Sequence, residues 1–146
     1  LQLAGYRLVF CPDSVVYHGG GGSLPKGNPK KVYLNFRNNL SMLVKNLTTT
    51  ELVTIMPIRL AMDVMAAYVS LFTGKFKDYW AIARAHLYFF THLGNLLSKR
   101  KQYRRLIEQT RIGEPTQSGR FRGSLIWQFF IKGRKKFSDL PQERFL

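Results

Sequence analysis

Acidic side chains are scarce: eight Asp and Glu stand against twenty-three Lys and Arg, a formal net charge of +15. Residues 1–47 hold six cations and one acid, 48–110 nine and four, and 111–146 eight and three, so each stretch carries +5. An excess spread this evenly is not a basic tail. It favours a polyanionic partner: nucleic acid, anionic lipid or a pyrophosphate-bearing substrate. Cysteine occurs once, at Cys11, which excludes an internal disulfide, and no Cys/His spacing suits structural zinc. A reducing compartment is expected. No internal repeat is present. The opening "LQLAGYRLVF" has neither the charged n-region nor the small-residue cleavage site of a signal peptide. It reads as a chain entered midway, so a longer protein is expected. What the sequence does have is apolar bulk. With 45% hydrophobic and 14% aromatic residues it is no disordered tail, because that surface must be buried somewhere.

Two short β-rich runs, Tyr6–Cys11 and Ser14–His18, are split by a Pro-Asp turn signal. "GGGGSLPKGNPKK" then holds too much Gly and Pro for a regular element. From Lys31 the apolar spacing Val32, Leu34, Phe36, Leu40, Leu43, Val44, Leu47 predicts a helix. "NLTTTE" supplies a break, with Thr50 a candidate N-cap. Leu52–Phe72 is 21 residues of mostly apolar sequence, long enough to cross a bilayer. Against a simple span stand Pro57, which breaks the backbone ladder, and Arg59 and Asp63 near the middle. Each of these charges costs about 2.5–3.5 kcal/mol on insertion scales. Four residues apart, the two can pair on one helix face, and a buried or interfacial helix is expected. Trp80, Ala83, Leu87, Phe90, Gly94 and Leu97 repeat at 3-4-3-4-3, an amphipathic seam. It ends in Lys99, Arg100, Lys101, Arg104 and Arg105, which suit either the helix macrodipole or anionic head groups. A polar linker follows. Trp127, Phe129, Phe130 and Phe137 then lie among Lys132, Arg134, Lys135 and Lys136, a pattern of membrane-interface anchors or of a tail packed on its own domain.

His18 ends the second β-rich run, ahead of Gly19–Gly22 and Ser23. From spacing alone it is a metal ligand, part of a phosphate-cradling loop, or an ordinary residue at a strand end. Glycine lets backbone N–H groups approach an anion closely, yet the loop has neither the Walker Gly-Lys-Ser ending nor a strand–GxGxxG–helix fingerprint. A nucleic-acid-binding module is disfavoured, since there is no RNP-like aromatic motif, helix-turn-helix spacing or zinc spacing.

Gly5-Tyr6, Pro12, His18-x-x-Gly21-x-Ser23, Arg37-Asn38 and Lys45-Asn46 together resemble the closing part of the catalytic domain of family 2 inverting glycosyltransferases, the bacterial rhamnosyltransferase-like type. "SLIWQFFIKGRKKFSDLP" is similar to the end of members with a helical, membrane-associated extension. The resemblance implies an α+β fragment, mostly α, in which the last short strands of a GT-A α/β domain precede a helical C-terminal extension. Residues 1–47 would end the catalytic domain, 48–110 form the hydrophobic and amphipathic helical extension, and 111–146 the basic aromatic tail. The expected partners are a nucleotide-sugar donor, a glycan or lipid-linked acceptor and an anionic membrane surface. The expected location is cytoplasmic, peripheral to the inner membrane. In an inverting transfer a carboxylate base activates the acceptor hydroxyl while the nucleoside diphosphate leaves, its charge held by a divalent metal (Mg or Mn) and by cations or N–H donors. The resemblance places His18, Gly21, Ser23 and Lys31 at the donor pyrophosphate, His18 also as a metal ligand, and Arg37 and Asn38 on the acceptor side. No catalytic residue is expected in this chain, which contains no Asp-x-Asp; the family's general base precedes the Gly-Tyr. Asp13, the only acid before residue 51, matches no catalytic position.

Overall fold

A computed structural model describes residues 1–17, 25 and 27–145. Four α-helices dominate it: α1 (Pro29–Asn46), α2 (Thr49–Phe72), α3 (Phe76–Thr91) and α4 (Leu93–Gln109). Contacts divide the chain into two compact units, Val15–Arg105 and Leu1–Ser14 with Leu106–Leu146.

The expected GT-A α/β fragment with two short strands is overturned. Among the described residues there is no strand, and the one β-type pairing is an isolated bridge between Phe121 and Phe145. The turn between the two β-rich runs does form, with Ser14 N–H donating to the Cys11 carbonyl at 3.2 Å. The runs beside it find no ladder partner, and Val9, Phe10, Val16 and Tyr17 stay exposed. β-propensity reports fitness for a half-buried pleated surface, and no such surface is offered to residues 6–17 among the described residues.

Each helix boundary has a local cause. The Asn28 side chain caps α1 by accepting from Lys30 N–H at 2.9 Å, with Pro29 at the first helical position. Thr48, two residues before the expected cap, starts α2 in a capping box with Glu51. α2 runs through Pro57 without ending. The seam expected as one continuous helix breaks at His92.

The core of the first unit is small: Leu40 and Val44 from α1, Phe89 from α3 and Leu96 from α4, with Leu52, Met56 and Leu60 of α2 packed against them. Ala81, Ile82 and Ala85 are buried on α3, while Trp80, Leu87 and Phe90 of the expected seam are exposed. The seam therefore points outward.

Part of the basic cluster on α4 also has an internal task. Arg100 Nη1 donates to the Val44 and Leu47 carbonyls at 2.5 and 2.6 Å, and Arg104 Nη2 to Leu47 at 2.9 Å. These carbonyls are orphans at the end of α1, so α4 caps α1 through side chains. Burial lowers the Arg100 pKa from its ordinary value, and neighbouring Arg104 lowers it further. Removing the guanidinium leaves the Val44 carbonyl without a side-chain donor and the Leu47 carbonyl with Arg104 alone, and Arg100→Ala should destabilise the unit by about 1–2 kcal/mol. Urea unfolding checks this; a change within about 0.5 kcal/mol would mean that water serves the carbonyls equally well.

In the second unit, Ile112 N–H donates to Ala4 O and Thr116 N–H to Gln2 O, both at 3.0 Å. Gly5 sits at φ 87, and a Cβ there would lie 2.6 Å from Gly113 N, so only glycine fits. The rings of Phe121 and Phe137 each pack on Phe145 at 5.2 Å. Trp127, Phe130 and Phe137 are nonetheless more than half exposed.

Candidate functional site

α2 is long and apolar enough to cross a membrane by length and composition, with a mean hydropathy of 1.6 over its best window. Only 11% of that window is buried inside the protein. Its two faces differ sharply. Ile58, Met65, Tyr68, Val69 and Phe72 are all exposed, Phe72 by 84%. With Ala61 they recur at helical spacing on one face, and no charge interrupts them. Asp63, one of the two charges that argued against a simple span, is 2% exposed on the opposite face.

Asp63 is held there by two partners. Arg59 Nη2 meets Asp63 Oδ1 at 2.9 Å, and His86 Nε2 of α3 lies 3.5 Å from Asp63 Oδ2. The guanidinium of Arg59 also lies 5.7 Å from the Phe36 ring centre. His86 Nδ1 is 2.9 Å from the Ile82 carbonyl, an acceptor only, so this nitrogen carries the proton. A neutral imidazole would then aim the lone pair of Nε2 at a carboxylate, whereas a protonated one attracts it. Accordingly the Asp63 side chain raises the His86 pKa above its ordinary 6.5, and burial, which opposes this, is outweighed.

A groove of about 680 Å³ opens between the beginnings of α1 and α3. Its charged lining is Lys30, Arg37, Lys77 and Arg84, its aromatic lining Tyr33, Phe76 and Trp80, and it has no carboxylate. Arg37 and Arg84 lie over the same Tyr33 ring, 5.4 and 5.7 Å from its centre. Asn38 Oδ1 accepts from Arg37 Nε and Nη2 at 3.0 and 2.9 Å, which leaves Nη1 for a ligand. Tyr88 supports the guanidinium from a further side at 5.4 Å. Two guanidiniums converging on one ring repel each other, and an anion between the helices would relieve that repulsion.

Of the residues the sequence pointed to, Arg37 lines this groove and Asn38 orients it. Lys31 is exposed on the first turn of α1 and is not part of the lining. His18, Gly21 and Ser23 lie outside the described residues. Among the described residues no three His, Cys, Asp or Glu side chains gather to hold a metal ion. Sequence reasoning missed Lys77, Arg84 and His86. Lys77, Trp80 and Arg84 recur at i, i+3 and i+7, and that spacing was the available signal.

Comparison with protein-family models, with curated proteins and with solved structures finds no match for the chain.

Proposed function

We propose that this chain is the membrane-attached helical portion of a nucleotide-sugar-dependent glycosyltransferase. It works on a glycan or lipid-linked acceptor at the cytoplasmic face of a bacterial inner membrane, peripheral to the bilayer. One observation carries the reading. The Arg37-Asn38 pair, which belongs to the glycosyltransferase-like pattern of residues 5–46, is the pair that arms the cationic groove between α1 and α3. Support also comes from the uncharged outward face of α2 and from the exposed aromatics set among cations in the tail. Lying along the surface, α2 would bury its outward face in the acyl boundary while Arg59 and Asp63 stay paired inside.

Within the complete enzyme, this chain's part is attachment and charge. Arg37, Arg84, Lys30 and Lys77 would hold phosphate oxygens, and no carboxylate stands in the groove's own lining to oppose their field. The resemblance places the base that takes the acceptor proton ahead of Gly5-Tyr6, where this chain has no acid among residues 1–4. A divalent metal would belong with the donor diphosphate. Among the described residues no three His, Cys, Asp or Glu side chains gather to hold it.

The test is genetic. Replacing Arg37 and Arg84 by alanine at the native locus should truncate or abolish one class of lipid-linked glycan, read as a missing species in the mass spectrum of glycolipid extracts. An unchanged glycolipid profile rejects the transferase and leaves a small basic membrane-associated protein.

A further inference from the structure

We propose that the groove between α1 and α3 seats the terminal phosphate of a membrane lipid, a phosphomonoester or diphosphate, with the lipid tail leaving over Phe76 and Trp80. This narrows the acceptor of the reading above to a chemical class and rests on that reading's membrane surface.

Charge comes first. The ten lining residues contribute four cations and no acid; Asp78 lines an adjoining recess at the start of α3. A terminal phosphate carries more charge and more free oxygens than a phosphodiester, so it is the head group that several cations can share. The first turns of α1 and α3 add the positive ends of two helix dipoles.

The apolar part of the lining decides between a lipid and a soluble nucleotide. Ribose hydroxyls and base edges need acceptors and donors of fixed direction. Beyond the cations, only the Tyr33 hydroxyl and the Trp80 indole N–H in this groove offer a polar side-chain atom. Phe76 and Trp80 are 60% and 64% exposed, and the same outward row of α3 continues with exposed Leu87 and Phe90. An apolar path of this kind serves a hydrocarbon chain. It gives nothing to a sugar-phosphate backbone, whose binding grooves interleave cations with base-stacking aromatics along a strand.

The experiment uses the full chain with three vesicle types: phosphatidylcholine alone, and phosphatidylcholine carrying either phosphatidylserine or a polyprenyl phosphate at matched surface charge. The expected result is at least about tenfold tighter binding to polyprenyl phosphate than to charge-matched phosphatidylserine. Arg37→Ala with Arg84→Ala should erase that preference and leave binding to plain phosphatidylcholine unchanged. Lys99→Ala with Lys101→Ala, an equal charge loss outside the groove, should keep it. Lys77→Glu, at an exposed position, gives the same readout should the arginine variant fail to fold. Equal binding to the two charged vesicles overturns the proposal, as does a preference that survives Lys77→Glu. Inorganic pyrophosphate or a single-stranded oligonucleotide binding as tightly as the lipid vesicles would also overturn it, by reassigning the groove to a soluble anion or a nucleic acid. Because glycan profile and vesicle selectivity are read separately, a wild-type chain that shows no vesicle selectivity, alongside an altered glycan profile in the arginine variant, rejects this inference alone. An unaltered profile rejects the transferase reading.

Discussion

Asp63→Ala should lower the stability of the Val15–Arg105 unit by about 3 kcal/mol, roughly 15 °C in melting temperature for a unit of this size. Asp63 is almost fully buried, and Arg59 and His86 are 28% and 16% exposed at their side chains. Deleting the carboxylate strands a guanidinium and an imidazole that the fold has drawn out of water. Arg59 retains some access to solvent, which holds the estimate at the lower end of the range for broken buried pairs. The geometry already shows tension, because Arg59 Nε, Asp63 Oδ2 and His86 Nε2 are buried with no hydrogen-bond partner among the described residues. Attraction across 3.5 Å, rather than a closed hydrogen bond, is what links α2 to α3 here.

The same variant carries a pH signature. A histidine whose folded pKa is raised contributes stability that is fully present below its unfolded value of about 6.5. That contribution is lost as pH rises through the folded pKa. Wild-type chain should therefore lose stability from about pH 6.5 upward until the His86 titration is complete, and Asp63→Ala should flatten that slope. Urea unfolding at a series of pH values measures both effects. A slope that persists in Asp63→Ala, or a loss below about 1 kcal/mol, would show that the His86–Asp63 contact carries no weight.

Three helical stretches and the Arg59–Asp63 pair are legible in the sequence, because helical period and capping chemistry act over a few residues; the break at His92 that makes the third stretch two helices is not. What could not be read is which face turns inward. Trp80, Leu87 and Phe90 form the most apolar row of α3, and burial of large apolar groups in water argues for a core seam. The structure instead buries Ala81 and Ala85 and leaves that row exposed. α2 repeats the inversion, with Asp63 inside and Phe72 outside. α3 still buries Ile82 and Phe89 beside these alanines, so the exposed rows of α2 and α3 are apolar surface in excess of what the small core takes up. The expected strands fail for a related reason. Residues 6–17 have a strand's composition, but a strand is defined by its neighbour, and local sequence does not report whether a neighbour exists. In the groove, Arg37 was legible through its motif resemblance, whereas Lys77 and Arg84 are ordinary charges on α3 until α1 is packed beside it.

The largest expected effect belongs to the proposed attachment through the outward face of α2. Met65→Lys, Val69→Lys and Phe72→Lys together should reduce partitioning onto neutral phosphatidylcholine vesicles by about a thousandfold or more. Burying each of the original side chains in the acyl boundary is worth roughly 1.5–3 kcal/mol, and the three lie within two turns on one face. Neutral vesicles are essential, because anionic lipid would return about 1 kcal/mol for each new lysine and mask the loss. Folding should be spared. All three positions are more than 60% exposed, lysine is a good helix former, and cations suit the C-terminal half of α2, where the helix has no basic residue in its last turn. The decisive comparison is vesicle flotation against urea unfolding of the same variant. Flotation lost with stability kept assigns the outward face of α2 to the membrane. Flotation unchanged would pass attachment to the aromatic residues around Trp127 and Phe130, and the apolar face of α2 would need a protein partner instead.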